Sequence, residues 1–406
     1  LRATVAPCSM AATVDTSPDG AVHPPWYPFA LVDRPCDPST FADGLPSSWG
    51  RFYGWDCTRA LNPGWWNEEH AGRWGAWPEA ITSVEEVGED RFGMILHLNN
   101  RWVAHVYPFQ TGKEVSTLVL FEPWANALVN APILLPVAGQ KNEHGDLLVV
   151  FERHTCMGAS EVGRRSHEVV QAVGRVHHAL TPHATPNTER RWNERLKAIE
   201  DRLKTTTLWR APHTKHVVGL PTTHCSLDGV VETTNGVVLL PRPRSLVDHL
   251  LAPSERLPGV STIAMFEQRL SLVEGFASSS SREAFYRAWG EVVPPSWTSK
   301  SSLSTANGGI WIWRYEAMLL MLAEARAYGL KEQATQCDRW LFDVSRIQAR
   351  LGELRTVHAV RRGGMWAAIA AALLGTGPLQ IPFVLGSAGT ALAAHLVHQR
   401  RMPPPF

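Results

Sequence analysis

The spacing of the apolar residues changes at Gly158, and that change limits the fold more than any other feature of the chain. Before it, short segments rich in β-branched and aromatic residues follow one another: Ile81 to Val87, Phe92 to Leu98, Trp102 to Tyr107, Ile133 to Val137 and Leu147 to Phe151. Such segments read as strands. Gly88 to Gly93, Asn99-Asn100 and Gln140 to Gly145 separate them, and the Asn pair suits a tight hairpin. One helical stretch, from about Gly112 to Val129, interrupts the series. After Gly158 the apolar residues Val162, Val169, Val173, Val176 and Leu180 fall close to helical spacing, and Pro182 stops that helix. A charged helix is expected from Arg190 to Lys204. Strand character returns only around Leu220 to Leu240, where Asn235-Gly236 turns Val230-Val231 into Val237 to Leu240. From Ser245 to Arg361 the chain reads as helical, with loops at Ser278 to Ser281 and Thr298 to Gly309. The fold class expected is α+β: a small β-rich lobe carrying one helix, then a helical lobe carrying one hairpin. No internal repeat is visible.

The two ends differ from this frame. Residues 1–78 keep no apolar period, and their aromatics come in bursts, among them Trp26-Tyr27, Trp55, Trp65-Trp66, Trp74 and Trp77. Two readings stand: an extended arm whose aromatics fill pockets on other surfaces, or an aromatic cap packed on its own domain. The first makes Trp65 and Trp66 partner contacts. At the other end, Gly363 to Val397 contains no Asp, Glu, Lys or Arg, and Arg361-Arg362 and Arg400-Arg401 flank it. It is too short for two membrane spans of roughly 20 residues each. It could hold one span, a re-entrant or interfacial hairpin at a membrane, or a helical hairpin buried in a soluble core, and Pro378 and Pro382 favour a hairpin over one straight helix. Trp366, Leu373, Leu374, Phe383 and Leu385 would then contact lipid or a partner, and Gly375, Gly377, Gly386, Ser387 and Gly389 would let helices approach. The division expected is 1–78 arm, 79–158 β-rich lobe, 159–362 helical lobe, and 363–406 apolar hairpin with a Pro-rich tail.

Composition excludes several functions. Lys plus Arg is 39 against 38 for Asp plus Glu, so nothing in the overall charge calls for a nucleic acid. The alternating charges of Glu189 to Lys204 read as a solvated helix face. The six cysteines form no Cys-x-x-Cys pair and no zinc-finger spacing with His. They are expected as reduced thiols, with Cys36–Cys57 as the leading exception. No Gly-x-Ser-x-Gly elbow accompanies the His residues. His395 and His398 are spaced for a metal but lack a third ligand. The chain starts at Leu1, which implies processing or truncation, and the acid-free stretch to Val14 is similar to the trimmed start of an organellar, mitochondrial protein.

The order of segments resembles the aminoglycoside/choline phosphotransferase branch of the protein-kinase-like fold. Arg101 to Pro108 resembles that family's third strand. Leu147 to Phe151 with Gly158 resembles its hinge, and Ala172 to Leu180 its helix ending in a Leu-Gly-x-Leu-His-like motif. His224-Cys225-Ser226-Leu227-Asp228-Gly229 and Asn235 to Leu240 stand where the family has its catalytic loop and metal-binding strand. The resemblance covers about residues 80 to 330 and implies a two-lobed fold built for phosphoryl transfer.

Against that pattern the site residues depart. Ser226 aligns with the catalytic Asp, Gly229 with a metal-binding Asn and Pro241 with a second metal ligand, while Arg242 adds positive charge where Mg²⁺ would sit. His105 takes the place of the nucleotide-gripping cation, with Glu114 or Glu122 as its partner. His224 is a loop-holding residue in the resemblance, and Asp228 is the nearest substitute for the base. Glu89 and Asp90 stand where phosphates would approach. The sequence therefore leads to the expectation of a non-catalytic pseudokinase-like scaffold, an accessory subunit of a larger, intracellular, membrane-associated protein complex, with no cofactor and no metal. The alternatives are an atypical small-molecule or peptide phosphotransferase, and a nucleotide-sensing regulatory module.

Overall fold

The computed structural model describes residues 23–32, 37–41, 43–112, 117, 122–186, 189–205, 209, 218–223, 225–234, 236–252, 256–272, 276, 278–299, 303 and 309–401. His224, Asn235, Glu114, Cys8, Cys36, the first residues and the Pro-rich tail lie outside them, as does most of the helix expected from Gly112. Its described remainder is two short turns, Glu122–Trp124 and Ala125–Leu128.

The first lobe is built on an antiparallel sheet. Its strands are β3 (Arg73–Gly75), β4 (Val84–Asp90), β5 (Gly93–Leu98), β6 (Trp102–Val106), β8 (Ala138–Lys141) and β9 (Asp146–Glu152), in the order β3-β8-β9-β6-β5-β4. Leu96, Ala104, Val106, Leu148 and Val150 are buried on one face. Asn99 and Asn100 both take left-handed φ, 48° and 54°, and close β5 onto β6 as the sequence led one to expect. Asn99 Oδ1 also accepts from the Thr82 and Ser83 backbone N–H groups.

Two strand assignments need correction. β4 begins at Val84 and continues through Gly88 to Asp90, because a register irregularity between Glu86 and Gly88 absorbs the extra residue. The fourth strand lies at Ala138–Lys141, reaching into the supposed turn Gln140 to Gly145, instead of at Ile133 to Val137. Pro132 and Pro136 have no N–H for a ladder, so Ile133 makes only one bridge, to Leu239. Gly139 admits the Trp74 ring, since a Cβ there would meet Trp74 Cζ2 at 2.3 Å.

The aromatic N-terminal segment belongs to this lobe. β1 (Leu45–Ser47) and β2 (Gly50–Gly54) form a hairpin that joins β7 (Phe109–Gln110), and α1 (Pro63–Asn67) follows. Trp65 and Trp66 are buried in the chain's own core with Leu96, Leu98 and Leu148. Trp66 stacks on Trp77 at 5.3 Å and donates from Nε1 to the Ala60 carbonyl at 2.7 Å. These two tryptophans are therefore core residues and not partner contacts, and the own-domain cap replaces the extended arm. Large rings bury more apolar area here than an exposed arm would allow. Trp26 and Tyr27 pack on Phe52, Phe109 and Leu250, which carries the segment onto the second lobe.

That lobe contains β10 (Thr155–Cys156), β11 (Cys225–Thr233) and β12 (Gly236–Pro241), in one sheet of that order. Around it lie α2 (Ala159–Arg164), α3 (Ser166–Ala179), α4 (Glu189–Leu203), α5 (Leu246–Leu251), α6 (Gly259–Leu270), α7 (Ser279–Gly290), α8 (Trp311–Ala327) and α9 (Lys331–Phe342). α8 is buried almost all round. A helix of that kind has no solvated face for its charges, so each is paired. Arg314 donates to both oxygens of Glu267 at 2.7 and 2.5 Å, and Glu316 accepts from Arg195 Nε at 2.9 Å. Cys57, Cys156, Cys225 and Cys337 are free thiols.

The chain ends in an antiparallel pair, α10 (Val344–Leu374) and α11 (Gln380–Arg401). Of the small residues expected in the seam, Gly377, Gly386 and Gly389 face open space, whereas a Cβ on Gly375 would meet Gln380 Cγ at 2.9 Å and one on Gly364 would meet the carbonyl of Ser387, also expected there, at 2.9 Å. α11 is, among the described residues, the one helix long and apolar enough to cross a membrane. Sheet order, lobes and hinge together give the α+β, two-lobed, protein-kinase-like fold with an apolar C-terminal helical hairpin.

Candidate active site in the cleft between the lobes

The cleft is lined by the β4–β5 turn, β6, the start of β11, the end of β12, α6 and α8. Between Cys225 and Val230 the β11–β12 ladder loses its register. Ser226, Asp228 and Gly229 lie on that irregular piece. Gly229 has a steric reason: a Cβ would meet the Leu240 carbonyl at 2.3 Å and Arg242 Cγ at 2.9 Å. A side chain there would push Arg242 from its place. Pro241, which needs no N–H at the strand's end, is buried and pairs with Cys225.

Arg242 fills the centre of the site. It is buried, pairs with Asp90, contacts Nδ1 of His105 and lies over the Phe92 ring at 4.7 Å. Asp90 Oδ1 accepts from the Phe92 N–H at 2.8 Å and the Gly93 N–H at 3.2 Å. Burial pushes the Asp90 carboxyl up, and the Arg242 charge opposes that only in part. His105 is held well below the ordinary imidazole range by burial, then by Arg242 and His154. A neutral His105 is no cation, and its polar contacts among the described residues are Arg242 and, at 3.4 Å, His154, and not the expected Glu122; Glu114, the other expected partner, lies outside the described residues. Glu89 turns outward to accept from Trp26 Nε1 at 3.0 Å.

Arg91, at the tip of the same turn, reaches across the cleft. It pairs with Asp228 at 2.5 Å and with Glu324, which also accepts from Arg269 at 2.6 Å. Burial alone would raise the Asp228 carboxyl, but Arg91, Arg269 and Arg242 together hold it below the usual carboxylate range. Asp228 is thus ionised at neutral pH. Glu324 is lowered for the same kind of reason: burial raises it, and Arg269 and Arg91 outweigh that. Ser226 Oγ is buried without a hydrogen bond among the described residues. His177, in the Leu-Gly-x-Leu-His-like helix, is pushed down to about 3 by burial and accepts from Trp289 Nε1 at 3.2 Å, a packing role.

Beside this constellation, in the second lobe, lies a cavity of about 160 Å³ lined by Arg195, Thr223, Cys225, Asp248, Trp313 and Glu316, among others. Cys225 and Thr223 lead directly into the Ser226–Gly229 piece.

The fold family implies Mg²⁺. The residues do not fit it: Gly229 and Pro241 offer no side-chain oxygen, Arg242 brings a guanidinium instead, and Asp90 and Asp228 are each spent on arginine. Among the described residues no group of three potential ligating side chains exists.

Sequence reading brought His105, Ser226, Asp228, Gly229, Pro241 and Arg242 to one cleft, and the structure places them there. It missed Arg91, Arg269 and Glu324. The available signal was a charge inside an otherwise apolar stretch of helix, Glu324 in Met318 to Ala325, which must find a partner when buried.

No family model matches the chain, and no curated protein sequence is similar to it. Solved structures of the same fold are similar at low identity. A glucosamine kinase with glucosamine, ADP and inorganic phosphate is 9% identical, over 71% of this chain and 82% of its own, with a TM-score of 0.39. The GDP complex of an aminoglycoside 2'-phosphotransferase-IIIa is 12% identical, over 65% and 92%, with a TM-score of 0.41. A choline kinase from Cryptosporidium parvum Iowa II is 10% identical, over 72% and 95%, with a TM-score of 0.39. The expectation of a chain without enzymatic activity is corrected here. An ionised carboxylate, Asp228, still stands in the cleft beside Arg91.

Proposed function

We propose that the chain is an atypical phosphotransferase acting on a small molecule. The observation that carries this reading is Asp228, kept ionised in the cleft and surrounded by Arg91, Arg242 and Arg269. Phosphoryl transfer asks for a carboxylate near the attacking hydroxyl and positive charge on the transferring oxygens. Asp228 accepts the acceptor's hydroxyl proton. The guanidinium groups bind phosphate oxygens, a task their planar fork suits. The acceptor occupies the cavity beside Arg195, Asp248 and Glu316, whose mixed charges favour a polar molecule with hydroxyl groups. In the state described, Arg91 and Arg242 are paired with carboxylates of this chain. A phosphoryl donor therefore enters by taking these guanidinium groups over from Asp90 and Glu324, and Asp228 is freed as Arg91 turns to the phosphate.

The test is transfer of labelled phosphate from ATP or GTP to a panel of amino sugars and amino alcohols, with Asp228→Asn alongside. Activity in the parent that drops by about a hundredfold or more in the variant supports the role of a general base. Thermal unfolding with millimolar nucleotide separates binding from turnover, since a ligand at a hundred times its Kd adds about 2.7 kcal/mol of stability. No transfer and no nucleotide-dependent shift overturns the reading.

A further inference from the structure

The α10–α11 hairpin leaves its apolar residues uncovered on every outer face. Trp366 is 61% exposed, Leu374 82%, Phe383 58% and Leu385 67%, and Leu373, Leu379 and Ile381 are exposed with them. Single exposed apolar residues need no explanation, but a continuous sleeve of them does. The charge pattern says what covers it. From Gly363 to Val397 there is no charged Asp, Glu, Lys or Arg, and at the base of the hairpin Arg350, Arg355, Arg361, Arg362, Arg400 and Arg401 gather against a single acid, Glu353. The helices stack these arginines along the base in tiers: Arg361 lies against His395 at 3.2 Å, next to the apolar arm, and about 16 Å further down α10, at 1.5 Å per residue, Arg350 donates to the Arg401 carbonyl at 2.7 Å, with Arg401 3.8 Å from Glu353. The apolar arm of α10 from Gly363 to Leu374 is about 18 Å long at 1.5 Å per residue. That is too short for a hydrocarbon core of about 30 Å and matches roughly one leaflet. The tip turn, with Gly377 at φ 116° and Pro378, holds no charge.

We propose that residues 363–397 insert as a hairpin into one leaflet of an anionic lipid bilayer, with the arginine collar at the headgroups. Apolar burial supplies the anchoring and the collar supplies the preference for negative lipid. The chain touches the membrane from one side and does not cross it. This is independent of the cleft chemistry.

The experiment is flotation of the full chain with phosphatidylcholine vesicles, with and without phosphatidylserine. The parent floats with the serine-containing vesicles and less with the neutral ones. Leu374→Asp combined with Phe383→Asp, at exposed positions that the fold does not use, lowers the bound fraction by about tenfold or more. Arg362→Glu with Arg400→Glu removes the dependence on phosphatidylserine. Lipid brominated near the middle of its chains quenches a fluorescence component that Trp366→Phe abolishes. A chain that stays unbound, or a double Asp variant that binds as well as the parent, overturns the proposal. So does a parent that is a dimer in solution, separated by the Asp substitutions and indifferent to vesicles, because the sleeve is then covered by a second copy. Trp366 quenched only by lipid brominated close to the headgroup also refutes insertion.

Discussion

Replacing Arg242 by Met tests the electrostatic account of the cleft. Arg242 and Asp90 have side chains 1% and 2% exposed, so neither can turn to water when its partner is lost. Asp90 would keep the Phe92 and Gly93 N–H groups and nothing of opposite charge. Breaking a buried pair in this way costs about 3–5 kcal/mol, most of it the burden of the uncompensated charge. Asp90→Asn with Arg242→Met removes both charges, and the double variant should lie within about 2 kcal/mol of the parent. A double-mutant cycle by urea unfolding then gives a coupling of about 2 kcal/mol or more. The loss in Arg242→Met also has a sign in pH. Burial already raises the Asp90 carboxyl, and without Arg242 it rises further. A raised folded pKa gives stability that is full below the unfolded value, about 3.9, and lost as pH rises through the folded value. The variant should therefore come closest to the parent in acid and fall furthest behind near neutrality. Additive single losses, a loss below about 1 kcal/mol, or a loss equal at every pH would refute the reasoning.

Glu267→Gln should destabilise by about 3–5 kcal/mol in the same assay, because Arg314, which is 1% exposed, would keep its charge with no anion and Tyr286 would lose the strong acceptor it now has at 3.0 Å. Asp228→Asn should lose stability at neutral pH and converge with the parent as pH falls below about 4: a lowered folded pKa contributes stability above the unfolded value that disappears on protonation. Equal losses at every pH would count against it. Gly229→Ala should cost about 1–3 kcal/mol, since the new methyl meets a strand carbonyl at 2.3 Å, and differential scanning should show the lower midpoint without a change of secondary structure by circular dichroism.

Much of the architecture was legible because local rules and tertiary structure agree in it. Asn99-Asn100 had to turn left-handed, and two apolar strands on either side had to pair across it. The strand after Pro136 was misplaced for the opposite reason. Ala138 to Lys141 has little strand propensity, and it pairs because β9 and Trp74 offer partners distant in sequence. The N-terminal tryptophans were ambiguous in sequence because an aromatic burst fits a partner's pocket as well as the chain's own sheet, and only the sheet's free face decides between them.

The site follows the same division. The positions of Ser226, Asp228, Gly229 and Pro241 could be read from motif order, and their meaning could not. What a motif comparison registers as the loss of a metal ligand is, at Gly229, room for Arg242. What it registers as two misplaced acids is, at Asp90, that arginine's counter-ion. The second half of the arrangement comes from residues some 150 and 230 positions apart, as in Arg242 with Asp90 and Arg91 with Glu324. No local pattern announces such pairs. Their only trace in the sequence is a charge placed where the surrounding period says core, as Glu267, Arg314 and Glu324 are. A buried charge must be answered by another charge. It follows that charges interrupting an apolar element, read together, mark which distant segments meet, and in this chain the three groups that join Arg91 to the second lobe, Arg269, Glu324 and Asp228, sit on α6, α8 and β11.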